Sequence, residues 1–332
     1  MIDRRTLLLT SAMSWLLTKQ GRAQTPPPRH AQLPVRGSAD PVETIDLWSD
    51  GALNRTGAPL IETVNERSTD PGYSDRAVYG ISRPRMAVFR PQRPNGVAAM
   101  ITPGGGYRWV VIDKEGYELA RWLSARGYTC FVLFYRLPGE GWAEGPDTPL
   151  ADAQRAIRLI RQRSGEFGID PARIAAIGFS AGGHVCADLA ARFANGARPP
   201  LDAIDRLSAR PDAAAPIYPV VSMDPAIAHA GSRALLLGAQ PTAALEAAHS
   251  PDRNVPADAP PHFLLHAEDD GVVPVENSLR LRASLLTRGI AVETHLFQRG
   301  GHGFGLRQAN GLPVAAWPEL LYRWLQMTLS GS

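Results

Sequence analysis

The chain has only two cysteines in 332 residues, Cys130 and Cys186. That excludes a small disulfide-stapled scaffold, and no Cys/His cluster stands at metal-ligand spacing. Cys130 opens a strand-like run and Cys186 falls on a predicted helix, so both read as small core residues rather than a bridge. Lysine is nearly missing, present at Lys19 and Lys114 alone. The formal net charge of +3 is equally thin. Arg4, Arg5, Lys19 and Arg22 against Asp3 account for all of it, leaving 31 basic and 31 acidic residues. So balanced a remainder gives no electrostatic case for nucleic acid or an anionic membrane as partner. Long hydrophobic runs are missing too. Residues 7–17 form the one sustained apolar stretch, too short and too rich in Ser and Thr to span a bilayer securely.

That stretch has the layout of a targeting segment. Asp3-Arg4-Arg5-Thr6-Leu7-Leu8 resembles the twin-arginine export signal of bacteria, and Lys19 and Arg22 follow the apolar core. Cleavage near Ala23 makes residues 1–23 an export signal and the expected location periplasmic or secreted. Residues 24–41, rich in Pro, Gln and Arg, read as a flexible leader. An apolar content of 44% is ample for a large core, and residues 42–332 are expected to form one domain.

Within that domain the pattern alternates. Strands are expected over 42–48, 85–90, 97–102, 129–137, 173–177, 212–222, 261–267 and 291–298. Helices are expected over 113–126, 150–167, 181–193, 274–288 and 314–329. Residues 230–260, alanine-rich with scattered proline, read as a small cover of short helices. A β-first chain that settles into β-α-β-α predicts an α/β fold: a doubly wound, mostly parallel sheet with an antiparallel start. The chemistry of such a fold sits beyond the carboxyl ends of its strands.

Gly178-Phe179-Ser180-Ala181-Gly182 is the strongest local signal. It joins an apolar strand to a helix, and small residues beside Ser180 permit the sharp turn that lifts a serine hydroxyl into a cleft. A serine hydroxyl is a poor nucleophile alone and needs a base oriented by a carboxylate. His302, within Gly300-Gly301-His302-Gly303 after the last strand, is the candidate base. Glu268, Asp269 and Asp270 run off the preceding strand; the turn into Val273-Pro274 favours Asp270, with Asp269 second. Gly104-Gly105-Gly106 follows the 97–102 strand, where bare N–H groups can approach a developing oxyanion. Gly105, Gly106 and Ala181 are the expected donors. A phosphate loop is the competing reading of these glycines, but no Lys-Ser/Thr follows them. Tyr107, Trp109 and Trp142 lie on loops at the same edge and are candidate substrate contacts. Glu115 is within reach of the same edge, and Arg136 with Asp152 reads as a buried supporting pair. The scheme calls for neither metal nor organic cofactor.

These blocks together resemble the α/β-hydrolases from about residue 42 to the end. Pro103-Gly104-Gly105-Gly106-Tyr107 stands where related esterases carry His-Gly-Gly-Gly, with Pro103 as the departure. Tyr135-Arg136-Leu137-Pro138, the elbow block 170–184 and the acid turn 270–278 match as well. Within that superfamily the chain is most similar to bacterial acetyl xylan esterase-like carbohydrate esterases. The resemblance implies a secreted serine carboxylesterase acting on short acyl esters, acetylated xylan foremost, with a small ester or acetylated saccharide as its partner. A general small-ester carboxylesterase, a serine peptidase of the same fold and a non-catalytic binding module are the alternatives. Some relatives are labelled endoxylanases, but glycoside cleavage normally uses paired carboxylates rather than a serine. Oligomeric state, acyl length and sugar are left open by the sequence.

Overall fold

The computed structural model describes residues 40–41, 43–49 and 53–330. The expected export signal, and the leader up to residue 39, lie outside the described residues. Asp40, at the end of the expected leader, is engaged: it receives two hydrogen bonds of 2.7 Å from the Arg76 guanidinium.

In chain order the elements are β1 (Thr44–Asp46), β2 (Thr63–Glu66), β3 (Arg76–Tyr79), β4 (Arg85–Phe89), β5 (Gly96–Thr102), β6 (Val110–Val111), α1 (Glu118–Ser124), β7 (Thr129–Phe134), α2 (Thr148–Gln162), α3 (Ser164–Phe167), β8 (Ile169–Phe179), α4 (Ser180–Arg192), β9 (Ala213–Ile217), α5 (Ala230–Leu237), α6 (Ala243–Ala248), β10 (His262–Ala267), α7 (Glu276–Thr287), β11 (Val292–Phe297) and α8 (Trp317–Thr328). A π-helical turn, Asp113–Tyr117, leads into α1.

The main sheet runs β1-β4-β7-β5-β8-β9-β10-β11. β1 and β4 are antiparallel to their neighbours, and every pairing from β7 onward is parallel. The apolar runs explain the centre. All six residues of β7 and the last six of β8 are buried, as strands covered by helices on both faces require. α2 buries Ala153, Ala156, Ile157 and Ile160, one stripe at helical spacing. Pro149 fits its first turn, where no amide hydrogen is needed.

The expected strands and helices are present, with two differences. β2, β3 and β6 form a separate three-stranded antiparallel sheet that the sequence did not announce. β2 is mostly exposed and β6 has two residues, so neither carries a readable alternation. The run 212–222 leaves the sheet at Ile217, because Tyr218 takes a φ of 36° and turns the chain across the strand ends. α5 and α6 occupy the expected cover region between β9 and β10.

Candidate active site

Five parallel strands deliver the candidate residues to one edge. The glycine loop follows β5, Ser180 follows β8, Tyr218 follows β9, Asp270 follows β10 and His302 follows β11. Ser180 is the first residue of α4 and has φ 52°, a left-handed conformation costing a non-glycine residue about 1–2 kcal/mol. Its surroundings hold it there. A Cβ at Gly182 would lie 2.1 Å from the Thr102 carbonyl oxygen, so only glycine fits beneath the turn. The Thr102 hydroxyl donates to the Gly182 carbonyl at 2.8 Å and tethers β5 to the elbow.

Ser180 Oγ is 2.8 Å from His302 Nε2, and His302 Nδ1 is 2.7 Å from Asp270 Oδ2. The Asp270 side chain is fully buried. Its Oδ1 accepts the Val272 and Val273 N–H groups, and Oδ2 also meets His266 Nε2 at 3.2 Å. Burial pushes the Asp270 carboxyl up. The hydrogen bonds from His266 and His302, the nearby imidazole charge and the Val273 N–H outweigh it, so the group sits well below the usual carboxylate range. Asp269 has another place: exposed, it accepts the Gly300 and Gly301 N–H groups and braces the histidine loop.

The glycine loop is braced from below. Glu115, buried on the π-helical turn, accepts the Gly104 N–H at 2.9 Å and the Tyr218 hydroxyl at 3.0 Å. The Tyr218 ring stands edge-on to His302 at 5.1 Å. Gly105 has φ 132°, and a Cβ there would meet the Trp109 carbonyl at 2.1 Å. Gly105, Gly106, Ser180 and His302 line one open cleft of about 420 Å³, whose wall also includes Arg67, Trp109, Lys114 and His229. Ala181 is buried in the first turn of α4, where backbone N–H groups have no partner within the helix.

Two of the three aromatic candidates are corrected. Tyr107 is 2% exposed, and its hydroxyl donates to His184 Nδ1 at 2.6 Å. The other His184 nitrogen, Nε2, faces the His249 carbonyl at 2.8 Å, which fixes the tautomer. Tyr107 thus pins the glycine loop to α4 and presents no face to a ligand. Trp142 is buried against the Arg136 guanidinium, 4.8 Å from its ring centre, and lines a separate depression with Trp48 and Arg55. Its ring packs on that cation and is not among the residues that line the Ser180 cleft. Trp109 does line the cleft. Arg136 and Asp152 form a fully buried pair, with Trp48 Nε1 donating to Asp152.

His229, which lines the cleft, and Tyr218, buried behind it against His302 and Glu115, were not among the sequence candidates. One histidine in an alanine-rich stretch and one tyrosine at a strand end carry no local signal. For Glu115 the proximity was visible, but its two buried partners were not.

A sheet of this order, with a serine elbow at the centre and a histidine loop after the last strand, defines an α/β-hydrolase. The BD-FAE family model matches residues 88–285, and the chain belongs to that family. Among curated proteins it is 31% identical over 311 residues to "Endo-1,4-beta-xylanase B" of Butyrivibrio fibrisolvens, covering 92% of this chain and 48% of that protein. It is 30% identical to the "Acetylxylan esterase" of Xylanibacter ruminicola over 226 residues, 67% of this chain and 44% of that one. The chain therefore spans about half the length of these curated relatives. Among solved structures, the acetyl ester-xyloside bifunctional hydrolase from Caldicellulosiruptor lactoaceticus is 32% identical, with a TM-score of 0.68, covering 88% of this chain and 98% of that one.

Proposed function

We propose that this protein is an exported serine carboxylesterase that removes short acyl groups, acetyl foremost, from plant-wall carbohydrate such as acetylated xylan. One observation carries the reading: the aligned Ser180–His302–Asp270 contacts of 2.8 and 2.7 Å beside a glycine loop. His302 Nε2 takes the proton as Ser180 Oγ attacks the ester carbonyl. Asp270 holds the proton on Nδ1 and stabilises the imidazolium that forms. The Gly105, Gly106 and Ala181 N–H groups receive the oxyanion, each such donor being worth on the order of 10²–10³ in kcat. The imidazolium then protonates the leaving alcohol, and water repeats the cycle on the acyl-enzyme.

Glycoside cleavage fits these residues less well, since it asks for two carboxylates flanking the bond. Here Asp270 is engaged by His302 and His266, and Glu115 by Gly104 and Tyr218. The relatives' names support the acetyl-xylan substrate, and the Arg4-Arg5 segment supports export. The test is acetate release from acetylated xylan and from a chromogenic acetate, by the wild type and Ser180→Ala. Turnover of both by the wild type, and of neither by the variant, is expected. Turnover of the small ester alone would replace the carbohydrate reading with a general carboxylesterase.

A further inference from the structure

His229 stands on the cleft wall beside the glycine loop, at the residue that caps α5. Its ring packs over Gly106: a Cβ built there would lie 3.7 Å from His229 Cε1. Gly231 and Leu235 of α5 line the same wall. The ring's protonation is fixed by the helix it caps. Nδ1 accepts the Ser232 backbone N–H at 3.2 Å, with Ser232 Oγ at 2.8 Å. A backbone amide can only donate, so Nδ1 carries no proton and the neutral ring carries it on Nε2. Among the described residues, Nε2–H has no hydrogen-bond partner. The helix cap therefore fixes an unoccupied donor in the wall of a cleft that holds Ser180 and His302.

We infer that His229 Nε2–H is a specificity contact, donating a hydrogen bond to an oxygen of the leaving alcohol and so selecting esters of polyhydroxylated alcohols. This rests on the esterase reading of the same site. The acyl oxygen already has backbone donors around Ser180, which leaves the alcohol side of the bond for a side-chain donor. Burial, with the charge of His302 behind it, lowers the His229 pKa, and Asp270 opposes only in part. The ring thus stays neutral when His302 becomes charged, and does not compete for the proton that the leaving alcohol needs. An ester whose alcohol lacks hydroxyls forfeits this contact, and a donor that the bound substrate cuts off from water without pairing discriminates more sharply than an apolar wall.

The experiment compares kcat/KM for glycerol monoacetate and propyl acetate, which share the acyl group and differ in alcohol hydroxyls. His229→Ser keeps an oxygen to cap α5 but removes the reaching donor, and His229→Gln restores an amide donor. A wild-type preference for the glycerol ester is expected. It falls about tenfold in His229→Ser and recovers in part in His229→Gln. No wild-type preference, or an unchanged preference in His229→Ser, overturns the inference. A second readout needs no turnover: xylotriose binding to Ser180→Ala, measured by calorimetry, with and without His229→Ser. Affinity about tenfold weaker in the double variant supports the contact, and equal affinity overturns it. Failure of the carbohydrate-esterase reading is separate, because it shows as inert acetylated xylan whatever the two selectivity readouts give.

Discussion

The two halves of this site are built from different materials. On the nucleophile side, Ser180 and the glycine loop are held by close backbone approach, by Thr102 and by a buried carboxylate beneath Gly104. On the imidazole side, His302 rides a flexible-sequence loop and is placed by side chains: Asp270, Asp269 and the Tyr218 ring. Backbone packing leaves few ways to move Ser180 short of removing it. Side-chain support leaves the imidazole open to graded loss, by substitution and by pH. The difference predicts a near-total loss when Ser180 itself is removed and a ladder of smaller losses among the side chains that support the two halves.

The largest effect is expected at the junction. Ser180→Ala lowers kcat by about 10⁶-fold, and His302→Ala added to it costs almost nothing more, because the two act as one unit. Steady-state and single-turnover assays of the three variants check this. Additive losses would mean that Ser180 and His302 work separately.

Asp270→Asn comes next. The amide offers no carboxylate to the Nδ1 proton, so His302 is left in the wrong tautomer and kcat falls by about 10⁴-fold. Stability changes with a definite sign. The folded Asp270 carboxyl titrates below its unfolded counterpart, so between the two values the unfolded chain binds the extra proton. Its contribution is complete above about pH 4 and is lost as the pH falls through the folded value. The melting difference between wild type and Asp270→Asn should therefore shrink on acidification, as scanning calorimetry between about pH 6 and pH 3 would show. A difference that widened would reverse the assignment of the acid.

Sequence legibility followed the same divide. Where geometry depends on small residues in a row, as at 104–106, 178–182 and 300–303, the requirement is written locally and reads directly. The buried parallel strands read equally well, because their apolar runs have a single explanation. Side-chain supports were different. Glu115 meets Tyr218 across 103 positions, and His266 reaches Asp270 from inside β10, a pairing that no local pattern announces. Trp142 misled for the same reason. Its place on a loop was visible, but the buried Arg136 that draws its ring away is a tertiary fact. Tyr107 looked available until its hydroxyl met His184.

Glu115→Gln probes the charged side-chain prop of the nucleophile half. Glutamine has a single acceptor oxygen for the Gly104 N–H and the Tyr218 hydroxyl, so one of the two donors loses its partner. The cost is about 1–3 kcal/mol of stability, and the displaced loop lowers kcat by about tenfold with KM little changed. Denaturant titration and initial rates measure both. A loss of activity without loss of stability would make Glu115 a participant in the chemistry and not a brace.

Asp269→Ala should have the smallest effect, and it tests the divide most directly. Asp269 accepts two N–H groups of the histidine loop, at 2.8 Å from Gly300 and 2.7 Å from Gly301, but does so in solvent. Water can take both hydrogen bonds once the carboxylate is gone, so no donor is left buried and unpaired. The loop keeps its fold and loses only some order, which spreads His302 over orientations of which a fraction meet Ser180. A fall in kcat of about two- to fivefold follows, with an unchanged melting temperature, since misplacement without exposure costs orientation alone. Crystallographic B-factors over residues 300–303 should rise in the variant. If Asp269→Ala instead costs more activity than Glu115→Gln, the exposed brace outweighs the buried one, and the imidazole half is held from solvent rather than from the core.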